Sequence, residues 1–572
     1  MKLLLTQYLA ALREREELDV ILPDVLSSLG FNVISRPMRG TTQYGVDAAA
    51  VGTNPRTGLK SLFLLSIKSG NLTRAQWGEG VQSLRSSLEE ILDVYVPNHV
   101  ALQFQALPIV IAMCFGGNVQ ENVRAQVTGF TKKHTEKGKI EFEEWNGDHI
   151  AELVLAGLMR ENFFPRNMQS AFRKSLAFVD EPEICVTHYY ALLFQLFESC
   201  KGKRGDRIRV ARQMYLAAWT VFVWCRDVGN LDAAYQTSAT TLLWMWDLSR
   251  ERLGAKGEGE ELGVLVNNMV ALFRTVAAAY VQMHVVPYSK TENGLGVSVK
   301  SWASVDVNLK LFEALGRVSM HGLWLAYTRQ LLLTTKHEVP RAAIDQLDLE
   351  IMATLEVVAD MIDNNIALTT PIRDDHAIEV MLAALFLHQG GASGYLAGWL
   401  GEVSRSSVFS YRTNGDYSCT LRDYPDLAAH PKRADGYREE VTAGSILFPT
   451  LAIWLAILGD VDGVRGLGDF HSKHMSHSTW QLWMPDESSE LHIYRNTEIH
   501  GATVAEIRIA SGMESLLEQI SSEIEVSVDF VELSAIRYGA WPVILLCSQL
   551  YRLPVPLHFW PIQPVGELAD IT

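Results

Sequence analysis

Two stretches decide how this chain is read: Arg39 to Gly52, RGTTQYGVDAAAVG, and Leu62 to Trp77, LFLLSIKSGNLTRAQW. Between them, residues 53–60 read TNPRTGLK, where Asn-Pro and Thr-Gly are turn formers. The run SLFLLSI at 61–67 is apolar and strand-like, so it and GVDAAAVG at 45–52 are predicted to pair as an antiparallel hairpin. Asp47 is then expected in the first strand of the hairpin and Lys68 at the end of the second. Strand side chains alternate, so Ser66 and Lys68 point to one side, and Asp47 is expected to meet them across the ladder. Gly40 and Gly45, lacking a Cβ, are expected to let the chain pass close to a ligand.

Working outward, Leu18, Ile21, Leu22, Val25, Leu26 and Leu29 recur at helical spacing and stop at Gly30, followed by a strand at FNVIS, 31–35. Beyond the hairpin the pattern predicts a helix over 73–94, strands at LPIVIAMCF (107–115) and IEFEEW (140–145), and a helix over 147–158. This order gives an α/β domain, a mixed sheet flanked by helices, over 1–165. From about 185 onward strands nearly vanish. Amphipathic helices are predicted over 208–226, 264–286, 306–334, 340–363 and 376–400, so 166–572 is read as a mainly α-helical region of one body or two subdomains. A chain of 572 residues exceeds what one core organises, in keeping with this division. No internal period of solenoid length recurs.

Composition is that of a folded chain, with 48% hydrophobic and 20% charged residues. The longest apolar stretch, Ala443 to Leu458, is too short to span a bilayer and contains Pro449, so it is read as buried. The opening MKLLLTQYLAALRERE lacks a cleavage site, and six scattered cysteines form no CxxC pair, so a reduced cytoplasmic protein without membrane attachment is expected. The net charge of −16 argues against a broad nucleic-acid surface. The first 161 residues are nearly balanced in charge, so any such groove is expected there.

The quoted segments resemble the core of the restriction-endonuclease-like PD-(D/E)xK superfamily, especially its Mrr-like branch of bacterial defence proteins, over residues 10–160. The resemblance implies a nuclease in which Asp47 binds Mg²⁺ or Mn²⁺ and Lys68 positions water or phosphate. It implies a first-helix acid at Glu17, with Glu14 and Asp19 as rivals, and a helical glutamine at Gln82. Ser66 departs from the pattern. It stands two residues before Lys68, where the family carries Glu or Gln, and a neutral hydroxyl is a weaker ligand for a hard cation. The Ile67 carbonyl is a further candidate ligand, and Gln43 and Arg74 are candidates for nucleic-acid contact. The function so implied is metal-dependent DNA hydrolysis, RNA being the other substrate class. It would be an effector step in anti-phage defence, controlled by the helical region and by self-association or other subunits of a defence complex. The alternative is an inactive nuclease-like domain that serves as a nucleic-acid-binding or scaffold subunit.

Other motifs carry less. Lys132, Lys133, Lys137 and Lys139 read as solvated charge, His471, His474 and His477 (HSKHMSH) as an exposed loop, and Arg373 to His376 (RDDH) as an acidic helix start with Asp as cap. GxxxxGK[ST], GxGxxG and GxSxG are absent. The tryptophans of the second half are read first as core.

Overall fold

In the computed structural model the described residues are 9, 18–35, 44–78, 83–157, 166–201, 205–301, 303–335, 340–504, 506–507 and 509–562. The chain divides into two compact units, residues 1–196 with 219–228, and residues 197–218 with 229–572.

The first unit is built on a five-stranded mixed sheet in the order β1-β2-β3-β4-β5. Helix α1 (Asp19–Ser28) ends at Leu29 and Gly30, the glycine at φ 87°. It leads into β1 (Asn32–Ser35), and β2 (Ala48–Thr53) and β3 (Lys60–Lys68) complete an antiparallel meander with Ala48 opposite Leu65 and Thr53 opposite Lys60. Strand β4 (Ile109–Phe115) runs parallel to β3, and β5 (Ile140–Trp145) parallel to β4. A parallel pair needs a crossover, and α4 (Glu121–His134) supplies it, a helix the sequence reading did not place. Its signal was Val123, Val127 and Phe130, which recur at helical spacing and are all buried.

The helix expected over 73–94 is two pieces, α2 (Arg74–Gly78) and α3 (Leu84–Glu90), the latter continued by a π-helical turn, Ile91–Tyr95, and by Val96–Asn98. Helices α2, α3 and α4 cover the face of the sheet that carries Leu62, Leu64, Ile109, Ile111, Met113 and Phe115. Helix α1 packs on β1, β2 and α5 (Gly147–Gly157).

The second unit is mainly helical, with helices at Asp232–Ser249, Glu258–Tyr280, Ser304–Thr334, Arg341–Asn364, Ala377–Gln389 and Ser393–Thr413. The helix expected over 376–400 is interrupted at Gly390 and Gly391, the latter at φ 76°, a left-handed position that ends helices. Trp244, Trp324 and Trp454 are fully buried, as core residues should be. Ala443 to Leu458 forms a two-residue strand, Gly444–Ser445, and a buried helix, Leu447–Ile457. The helical run Glu258–Ser289 is long and apolar enough to cross a membrane, a test that the core helix of a soluble protein also passes.

Candidate active site

Asp47 does not lie within β2 but immediately before it. The reason is local. Its N–H donates to the Leu65 carbonyl at 2.8 Å, although the ladder pairs Leu65 with Ala48, so the backbone departs from register at this residue. The Ile67 N–H is then without a strand partner on that side, and Asp47 Oδ2 accepts from it at 2.7 Å. The carboxylate thus replaces a ladder carbonyl at Ile67, the residue between Ser66 and Lys68 in the chain.

Ser66 and Lys68 share the side of β3 that carries Leu62 and Leu64, by strand alternation. Both are buried: Ser66 is 0% exposed and Lys68 7%. The Ser66 hydroxyl has no hydrogen-bond partner among the described residues, an uncommon state for a buried polar atom. Register sets Ser66 beside Met113, Ile67 beside Cys114 and Lys68 beside Phe115. Burial pushes the Cys114 thiol well above its ordinary range, and the negative charges of Asp47 and Glu143 push it further. Cys114 therefore stays protonated and is no nucleophile.

The turn before Asp47 is tight. Tyr44 and Gly45 both adopt left-handed backbone, at φ 49° and 77°. A Cβ on Gly45 would stand 2.1 Å from the Ser87 carbonyl oxygen, so this glycine admits the backbone of α3, not of a ligand as expected. Arg74 is exposed at the start of α2. Asp19 is half-buried at the start of α1. Glu17, Gln43 and Gln82, together with Glu14 and Gly40, lie outside the described residues.

Sequence reading missed Gln76, beside Lys68, and Glu143, on the opposite face of the sheet. Gln76 accepts from Thr73 N–H at 3.1 Å while Thr73 Oγ1 accepts from Gln76 N–H at 3.3 Å, a reciprocal capping box. The same glutamine amide donates to the Ser69 carbonyl at 2.9 Å, fastening the loop that follows Lys68. The Thr-x-x-Gln spacing was legible. Glu143, buried at 7% exposure, accepts from Trp145 Nε1 at 2.8 Å and faces Arg56 at 3.7 Å. No local pattern reveals it, because Arg56 comes from the β2–β3 turn.

Among the described residues no group of three or more His, Cys, Asp or Glu is arranged to hold a metal ion. His471 and His474 lie on a helix, Val461–His474, not in the expected loop. His471 packs on Trp480 with ring centroids 4.4 Å apart, whereas His477 meets Thr442 Oγ1 at 2.9 Å. Asp374 caps a helix other than the one that follows it: its carboxylate accepts from Ile446 N–H at 2.7 Å and Leu447 N–H at 3.4 Å, at the start of Leu447–Ile457. Asp375 is ion-paired to Arg373 and Arg552. Lys132, Lys133, Lys137 and Lys139 are exposed.

Comparison with protein-family models, curated proteins and solved structures finds no match to the chain.

Proposed function

We propose that the first unit carries a metal-dependent nuclease site of the PD-(D/E)xK type, hydrolysing phosphodiester bonds of DNA. The observation that supports it most is the bond from the Ile67 N–H to the Asp47 carboxylate at 2.7 Å, at the residue that separates Ser66 from Lys68 in β3. A carboxylate, a buried hydroxyl and a buried amine then share one strand end of a mixed sheet.

Mg²⁺ or Mn²⁺ is the cofactor this chemistry requires. The donors present are oxygens, as a hard cation prefers, and the buried Ser66 hydroxyl, without a hydrogen-bond partner among the described residues, would fit as one of its ligands. Asp47 and Ser66, with the Ile67 carbonyl and Glu17, would hold the ion. When bound, it supplies Lewis acidity toward the phosphate. Lys68 stabilises the charge that develops on the phosphate oxygens, an effect strengthened by its burial. Asp47 would do two things: its Oδ2 accepts from the Ile67 N–H and keeps the hairpin closed, and the carboxylate would also serve as a ligand to the cation. The helical unit would restrain this activity, with self-association or a further defence-complex subunit as its means, in a cytoplasmic anti-phage effector.

A specific observation favours a second reading. Asp47 already satisfies a backbone donor, and Ser66 is neutral where a carboxylate is the stronger ligand. On that reading the domain binds nucleic acid or scaffolds a complex without hydrolysis.

The test is cleavage of supercoiled, linear and single-stranded DNA, and of RNA, by the purified full chain with Mg²⁺ or Mn²⁺. Metal-dependent cleavage abolished by Asp47→Asn and by Lys68→Met is expected. Cleavage that survives both substitutions rejects the site, and absence of cleavage on every substrate selects the second reading.

A further inference from the structure

The first unit also holds a cleft of about 430 Å³ whose walls include Ser35, Tyr95, His99, Gln103 and Phe104. That volume lies in the range of clefts that take small molecules, ~300–1,000 Å³. Three of its walls, Tyr95, His99 and Phe104, are aromatic rings. The His99 imidazole stacks on Tyr44 with centroids 4.5 Å apart and planes 20° from parallel, and Tyr95 lies 5.9 Å from His99 at 34°.

Two backbone irregularities hold these rings where they are. Tyr44 takes left-handed φ, 49°, unusual for a bulky residue, and its successor Gly45 is pinned against the Ser87 carbonyl. Tyr95 ends the π-helical turn Ile91–Tyr95, an arrangement that is frequent at functional sites. Backbone departures of this kind persist where the surrounding structure enforces them, and here both deliver an aromatic side chain to the same array. His99 and Gln103 are exposed, so the cleft is open to a ligand from solvent.

We infer that this cleft binds an unpaired nucleobase. The chemistry matches: every base has a π face that stacks on Tyr, Phe or His, and stacking is the main means of holding single strands without sequence preference. Gln103 offers an amide donor and acceptor at the rim, and Ser35 a hydroxyl, groups that complement the polar edge of a base. Tyr44, on which the cleft residue His99 stacks, precedes Asp47 by three residues, so the cleft adjoins the segment that carries the carboxylate of the proposed site. This step rests on the nucleic-acid reading above and narrows its substrate to DNA or RNA with at least one base out of the stack.

The experiment measures binding of a fluorescein-labelled single-stranded DNA hexamer, a matched hexamer of abasic sites and free AMP to the full chain in EDTA. Hydrolysis is thereby excluded from the readout. The base-bearing hexamer is expected to bind about tenfold or more tightly than the abasic one, from base–aromatic stacking. His99→Ala and Phe104→Ala should each remove most of that difference. His99 is a surface residue, so its variant should keep the melting temperature of the parent and the comparison stays valid. Displacement of the hexamer by AMP assigns the base to a free nucleotide, and failure of AMP to displace assigns it to a strand; both support the cleft. Equal affinity for the two hexamers overturns it, as does discrimination unchanged in His99→Ala and Phe104→Ala. Cleavage without base discrimination removes the cleft alone, and discrimination without cleavage removes the hydrolytic reading alone.

Discussion

Asp47, Ser66 and Asp374 each pose a question that a single substitution answers. Asp47→Ala leaves the Ile67 N–H unsatisfied inside the sheet and should cost about 1–3 kcal/mol, whereas Asp47→Asn retains an acceptor and should unfold close to the parent in urea. Equal loss in the two variants would show that the charge, not the hydrogen bond, holds the hairpin. Ser66→Ala removes a buried hydroxyl that bonds to nothing described, so stability should be unchanged or raised by up to ~1 kcal/mol. Cation-dependent protection against heating, if Ser66 is a ligand, should fall in the same variant, and a clear destabilisation without metal would contradict the orphan state of the hydroxyl. Burial raises the Asp374 carboxyl to about 6, despite bonds from Ile446, Ser445 and Leu447, from an ordinary 3.8. The native state therefore holds this proton more tightly than the unfolded chain, and the group's contribution to stability falls as pH rises from about 4 to about 6. Asp374→Asn lacks the titration, so its stability relative to the parent should improve over that window by on the order of 2 kcal/mol, measured by denaturant unfolding at stepped pH. A difference that stays flat with pH would mean that Asp374 titrates normally.

At the scale of elements, the apolar strands and the hairpin were legible because β2 and β3 are adjacent in sequence and bounded by turn formers. Their register was not, since the departure at Asp47 depends on how the Tyr44-Gly45 turn seats against α3. Helix α4 escaped notice for a different reason. Its polar residues outnumber the apolar ones, and only burial of Val123, Val127 and Phe130 against the sheet selects the helix. Phe130 packs edge-on to Trp77 at 5.7 Å and to Phe142 at 6.1 Å, joining α2, α4 and β5. Phe130→Ala should therefore cost about 3–5 kcal/mol, read as a lowered urea midpoint, and a change under 1 kcal/mol would mean that this face packs loosely. Gly468-Asp469, just before HSKHMSH, points to a loop when read from sequence alone. Asp460 caps the helix through Gly463 N–H at 2.9 Å, and Gly468 is absorbed within it.

The whole molecule carries many buried charges that no local pattern reveals. In the second unit Arg317 is 2% exposed, ion-paired to Asp232 and Glu313, and lies 4.7 Å from the ring centroids of both Tyr235 and Tyr280. Arg552 joins Asp375 and Glu379, and its guanidinium also donates to the Asp375 carbonyl at 2.7 Å. Burial alone would raise the Asp375 carboxyl, but Arg552 and Arg373 bring it down to about 2, so its contribution to stability is present above pH 3.8 and lost as the pH falls toward 2. Arg552→Ala strands two buried carboxylates and should cost about 3–5 kcal/mol near neutral pH, with the deficit shrinking on acidification as they protonate. A loss below 1 kcal/mol in thermal unfolding would show that these charges are solvated. Sequence alone determined the division into an αβ part and a helical part and the strands flanking Asp47 and Lys68, because hydrophobic period and turn chemistry are local properties. Only tertiary structure decided the capping partner of Asp374, the burial of Glu143 and the gathering of Tyr44, Tyr95 and His99, because contacts between residues far apart in the chain form only when the elements pack.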